Sequence, residues 1–172
     1  MIATRRDALK IGGLGIAGLL LRPPPSAAAE AHEIEMIGNR DGSKVWFAPV
    51  GLLVRPGATI RWINRDKGNA HTATAYHPAN EDHPLRIPDG AAAWNSDYLL
   101  PDQTFEVTLT EPGVYDYYCI PHEHAGMVGR IIVMPEGGAV PAVATGNPLP
   151  DLGHDPFPPV ERIAAEGRVT GN

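Results

Sequence analysis

Cys119 is the only cysteine among 172 residues, and it opens the run Cys119-Ile120-Pro121-His122-Glu123-His124-Ala125-Gly126-Met127-Val128-Gly129. A thiolate, an imidazole and a thioether therefore fall within one short segment. A second imidazole stands upstream at His71, in Asn69-Ala70-His71-Thr72-Ala73-Thr74. One Cys and two His in a trigonal array, with a weak axial Met, form the ligand set of a blue-copper electron-transfer site. A soft thiolate and thioether favour copper over a hard cation. His124 offers a second way to close the set, with spacing Cys-x4-His-x2-Met, and the two histidines stand as alternatives. A site filled by four protein ligands leaves no open position for a substrate, which argues against an enzyme. His77 and His83, with Asp82, could hold another metal; the plainer reading is a pair of solvated loop histidines.

These residues need a rigid frame, and short β-rich runs separated by turns supply one. Glu33–Ile37 alternates and ends at Asn39-Arg40-Asp41-Gly42. Lys44–Phe47, Leu52–Val54 and Thr59–Ile63 follow, the last with Ile60 and Trp62 on one face. Thr104–Leu109 alternates with Phe105, Val107 and Leu109 inward; Val114–Cys119 and Gly129–Met134 close the set. The fold class is all-β, a sandwich. Alternation along Val114–Cys119 places Tyr115, Tyr117 and Cys119 on a core face and Asp116 and Tyr118 on a surface face. Cys119 then points into an apolar pocket, where a buried thiolate needs a cation. Pro121 stiffens the ligand segment, and Gly126 is expected to leave room for a close chain approach.

The segment Cys119-x2-His122-x4-Met127, ending Gly126-Met127-Val128-Gly129, resembles the cupredoxin family in its plastocyanin, pseudoazurin and halocyanin branch. Phe47-Ala48-Pro49, Val54–Asn64 and Gly113–Cys119 match the same pattern, over about residues 33–135. The resemblance implies a Greek-key β-sandwich and one type 1 copper ion cycling between Cu+ and Cu2+. It also implies electron shuttling between a donor and an acceptor protein through transient contacts. By position it gives the ligand roles to His71, Cys119, His122 and Met127. Thr72 stands where plastocyanins usually carry Asn, and its hydroxyl can still tie the two ligand loops together. Tyr118 occupies the place of a plastocyanin surface tyrosine linked to a second electron route, or is simply an exposed strand tyrosine. Azurin-like loops have four residues before the histidine but three after it, which the His124 spacing does not reproduce.

Residues 1–29 read as a twin-arginine-like export signal: basic Arg5, Arg6 and Lys10, an apolar run over Ile11–Leu21, and small residues at Ser26–Ala29. The apolar run is too short to span a bilayer, so the mature form is expected to be exported, periplasmic or otherwise extracytoplasmic, and without a stable membrane span. The segment 30–135 is the cupredoxin domain and 136–172 a Pro/Gly-rich C-terminal extension. In that extension Pro158-Pro159 and Gly167 bracket a short helix. The extension is either mobile or docked; the long inserted loop 77–102 is either structureless or a flap over a sheet edge. The whole chain carries 14 basic and 20 acidic residues. Without the leader the balance is 10 basic against 19 acidic, a net of −9. Such a chain lacks the basic footprint of a nucleic-acid binder and attracts basic partners at low ionic strength. A copper-trafficking or storage role would favour Met- and His-rich tracts, but beyond the leader only Met36, Met127 and Met134 occur. A copper redox enzyme would need a further domain and a separate copper. The reading is a monomeric single-electron carrier.

Overall fold

The computed structural model describes residues 31–143 and 156–171; the export signal read over 1–29 lies outside the described residues. Two sheets face each other. Sheet I runs β2-β1-β4-β6, built from β1 (His32–Gly38), β2 (Val45–Ala48), β4 (Ala58–Asn64) and β6 (Thr104–Leu109). Sheet II runs β5-β7-β8-β3-β9, from β3 (Gly51–Val54), β5 (Thr74–Ala75), β7 (Gly113–Tyr118), β8 (Val128–Val133) and β9 (Arg168–Val169). β1 pairs parallel with β4, and β3 parallel with β8. The chain therefore crosses between sheets rather than meandering within one, as a Greek key requires.

Every strand expected from alternation is present. Ile34, Met36, Ile60 and Trp62 point inward from sheet I and meet Tyr115, Tyr117 and Ile131 from sheet II. Trp62 lies at the centre, edge-on to Tyr117 at 5.3 Å and tilted against Trp94 at 5.8 Å. Gly129 is needed here, because a Cβ would run into the Tyr117 ring from the neighbouring strand.

The long connection is no structureless loop. Asn95 and Leu99 bridge to Thr74 and His71, Arg86 exchanges backbone bonds with Tyr76 and Asp116, and Ile87, Trp94 and Leu99 enter the core. It is a flap stitched to the edge of sheet II. The C-terminal extension is docked over its described part. The expected helix forms as α1 (Val160–Glu166), ended by Gly167 at φ 72°. Ile163 packs so closely on β3 that a Cβ at Gly51 would strike it. β9, which the sequence reading did not anticipate, then pairs with β3.

This docking overturns one expectation. Asp116 and Tyr118 are fully buried, not surface residues. Alternation assigns residues to two faces but cannot say that both faces are covered. Asp116 is caged by Arg86, with Nε–Oδ2 at 2.8 Å, and by Arg130, with Nε–Oδ1 at 2.7 Å and Nη2–Oδ2 at 3.0 Å. Phe157 from the extension lies over both guanidinium groups, at 5.2 and 4.8 Å from its ring centroid. Tyr118 lies in a separate cluster with Tyr76, Val128 and Phe157.

Candidate metal centre

Three elements converge at one end of the sandwich. His71 follows β4 after a turn and is pinned by its bridge to Leu99. Cys119 ends β7. His122 sits in a 3₁₀ turn (Ile120–Ala125) that begins with Pro121 in its first positions. The turn closes at Gly126, whose φ of 81° is left-handed and whose N–H bonds Glu123 O at 2.8 Å. A Cβ at Gly126 would meet nothing within 4 Å. The glycine is thus required for its backbone angle, and the expectation that it makes room for a close approach is corrected.

His71 Nδ1 and His122 Nδ1 are 3.2 Å apart, and Cys119 Sγ lies 3.6 and 3.5 Å from them. A triangle of these sides has its centre about 2 Å from each corner, the length of a metal–imidazole bond and slightly short of a metal–thiolate one. Among the described residues this is the one group of three such side chains close enough to share an ion. Met127 is buried in the same core cluster as Cys119, and its carbonyl accepts the Cys119 N–H at 3.0 Å. His124 is exposed and outside the cluster. His83 and His77 do not gather around Asp82; His83 Nε2 faces Glu123 Oε2 at 3.0 Å, and His77 Nδ1 accepts the Ala79 N–H.

The surroundings suit a thiolate and two neutral imidazoles. The Thr72 N–H points at Cys119 Sγ at 3.3 Å. The Thr72 hydroxyl accepts the Ile120 N–H at 2.8 Å, so it does tie the two ligand loops together as expected. Burial pushes the metal-free Cys119 thiol up to about 11, against the pull of hydrogen bonds from Thr72 and His122. Burial likewise lowers His71 and His122, which favours the neutral, ligating form. A buried sulfur facing two neutral rings is poorly placed as a bare thiolate, and a cation at the triangle's centre would stabilise it.

The sequence reading missed Asp66. Its Oδ2 lies 3.0 Å from His71 Nε2, which fixes the ring with Nδ1 free to ligate. Burial opposes the ionised form of Asp66, but hydrogen bonds from Asn69, Gly68 and His71 outweigh it and hold the carboxyl below the usual carboxylate range. Gly38 makes space for it: a Cβ there would overlap the Asp66 carboxylate. The available signal was an Asn64-x-Asp66 pair at the end of a strand, five residues before a histidine.

The sequence model of the family "Copper binding proteins, plastocyanin/azurin family" matches residues 34–134. The chain belongs to this family. It is 34% identical to the chloroplastic plastocyanin of Chlamydomonas reinhardtii over 135 residues, covering 76% of this chain and 84% of that protein. It is 35% identical to a Synechococcus plastocyanin, covering 73% of this chain and 87% of that one. The crystal structure of pseudoazurin from Methylobacterium extorquens superposes with a TM-score of 0.53 at 20% identity, covering 80% of this chain and 97% of that one, and so shares the fold. With these relatives and the His–Cys–His cluster, the protein is a small blue-copper electron carrier whose cofactor is copper.

Proposed function

We propose that His71 Nδ1, His122 Nδ1 and Cys119 Sγ hold a single copper ion, with Met127 as the weak axial ligand, and that the electron passes through the edge of His122. The observation that carries this is the Nδ1–Nδ1–Sγ triangle, with sides of 3.2 to 3.6 Å, in an otherwise sealed pocket. Bound copper supplies a one-electron couple between Cu+ and Cu2+. The chain supplies the rest. His71, Cys119 and Met127 are buried, which excludes water, whereas His122 is only half-buried. Ligands fixed by Asp66, Thr72 and the 3₁₀ turn limit movement when charge changes.

Around His122 the surface is formed by Pro121, His124, Ala125 and Gly126. Tyr98 and Leu100 flank the residue that pairs with His71 and are 58% and 56% exposed. A small patch of this kind suits a transient redox contact, which buries little surface. The protein works as a carrier between partner proteins rather than as an enzyme, and it acts outside the cytoplasm after removal of the leader read over 1–29. No helix among the described residues is long and apolar enough to cross a membrane. The test is the purified protein loaded with copper. It should bind one ion and show intense thiolate-to-copper charge-transfer colour, and Cys119→Ser should lose the colour while keeping its β-sheet signal. Colour retained in Cys119→Ser, or a native protein that takes only zinc, overturns the assignment.

A further inference from the structure

The two residues that bracket the ligand segment share the same two partners. Tyr118 precedes Cys119, and Glu123 follows His122. Tyr76 packs its ring against Tyr118 at 4.6 Å and donates its hydroxyl to Glu123 Oε1 at 2.6 Å. His83 stacks on Tyr118 at 4.4 Å and 13°, and its Nε2 lies 3.0 Å from Glu123 Oε2. Both carboxylate oxygens are thus engaged, and the Glu123 side chain is only 7% exposed. That is unusual on a turn whose other residues Pro121, His124 and Ala125 face solvent, and a carboxylate is rarely so buried without partners. His83 is presented by Glu81 and Asp82, at φ 55° and 56°. Two successive non-glycine residues in the left-handed region persist only where their surroundings hold them. His83 Nδ1 lies 3.1 Å from Asn80 O, which fixes the ring from its other side.

We propose that Tyr76 and His83, acting through Glu123, are positioning residues that hold the His122 turn in one geometry in both oxidation states of the copper. This rests on His122 being a copper ligand, as argued above. Apart from Glu123, and from the Thr72 hydroxyl that accepts the Ile120 N–H at its start, the turn is held by backbone bonds such as His122 N to Cys119 O at 3.0 Å and Met127 N to His122 O at 3.1 Å. Without the carboxylate clamp its outer half would have only short-range bonds within itself. Electron transfer is fast when the ligand geometry changes little between states, so the clamp acts on rate rather than on copper capture.

The experiment compares the copper-loaded protein with Glu123→Ala, Glu123→Gln and Tyr76→Phe. Electron self-exchange is read from nuclear resonance line broadening, and turn opening from amide hydrogen exchange at Gly126 and Met127. Glu123→Ala should bind one copper yet exchange electrons at least tenfold more slowly, with the Met127 amide exchanging at least tenfold faster. Tyr76→Phe keeps the ring and loses one bond, so it should fall between. Glu123→Gln keeps an oxygen for Tyr76 and should recover most of the rate. Removing a negative charge from an acidic protein would by itself speed the meeting of two copies, so a slower rate is not an electrostatic side effect. Self-exchange within twofold of the parent in both Glu123→Ala and Tyr76→Phe overturns the proposal, as does a Glu123→Gln as slow as Glu123→Ala. Failure of the copper assignment looks different: the unaltered protein would itself lack the charge-transfer colour.

Discussion

Replacing Asp116 by asparagine leaves two guanidinium groups buried without their counter-ion. Arg130 and Arg86 side chains are 4% and 10% exposed and both end on Asp116, which is fully buried. Removing one partner of a buried ion pair costs about 3–5 kcal/mol, because the remaining charge is neither hydrated nor paired. The asparagine keeps one acceptor oxygen, so Asp116→Asn should lie near 3 kcal/mol and Asp116→Ala near 5 kcal/mol. At about 2–4 °C per kcal/mol for a chain of this size, the asparagine variant should melt about 6–12 °C lower. The cluster's composition gives the control. It holds two cations and one anion, so Arg86→Met removes the surplus charge and leaves the Arg130–Asp116 pair intact. That variant should lose less than about 1.5 kcal/mol, the range of ordinary volume-conserving core changes. Urea unfolding of the metal-free proteins, followed by tryptophan fluorescence, measures all three. Equal losses for Arg86→Met and Asp116→Asn, or a loss under about 1 kcal/mol for Asp116→Asn, would refute this account of the charge balance.

Three further outcomes follow from the site. Gly38→Ala should push the Asp66 carboxylate off His71 Nε2 and weaken copper binding about 10–100-fold, as should Asp66→Ala, measured by competition with a chelator. The metal-free Cys119 thiol, held up to about 11 by burial, should be protonated at neutral pH, so copper uptake should release about one proton and strengthen about tenfold per pH unit. Its folded value lies above the unfolded one, so its contribution to metal-free stability should be complete below about pH 9. About 2–3 kcal/mol should then be lost as pH rises to about 11, readable by urea titration. Ala125→Asp, beside the exposed edge of His122, should slow electron exchange with a partner while leaving the copper spectrum unchanged, and an unchanged rate would move the exit elsewhere.

Two of the three side chains that cluster, Cys119 and His122, were legible because they sit in one short segment, where spacing is itself geometry. The sheets were legible for a similar reason: Ile60 and Trp62, or Phe105 and Val107, record their face by alternation alone. What could not be read joins distant segments. Tyr76 and Glu123 are 47 residues apart and meet only because the 3₁₀ turn folds back beside β5. Asp66 supports His71 through a turn whose shape depends on a missing side chain at Gly38. The burial of Asp116 and Tyr118 depends on residues 156–171 covering a face that alternation treats as wet. One signal for that covering was present. Val128-Gly129-Arg130-Ile131-Ile132-Val133 is apolar on both faces except at Arg130, which is how a strand buried on two sides reads.

That covering changes what substitutions at Tyr118 can report. A tyrosine on an open strand face would offer a second way out for the electron, and Tyr118→Leu would test it directly. Here the ring is enclosed by Tyr76 and His83 and shares its cluster with Phe157, so no partner reaches it without displacing the flap or the extension. Tyr118→Leu would empty part of a packed aromatic cluster and cost a few kcal/mol as a core truncation, whatever route the electron takes. The informative comparison is therefore between Ala125→Asp, which perturbs the surface over His122 without touching the core, and Phe157→Ala, which unroofs the flank. A slower exchange in the first and an unchanged rate in the second, at equal copper content, would locate the exit at His122. A faster exchange in the second would show that the extension closes a route the sandwich would otherwise leave open.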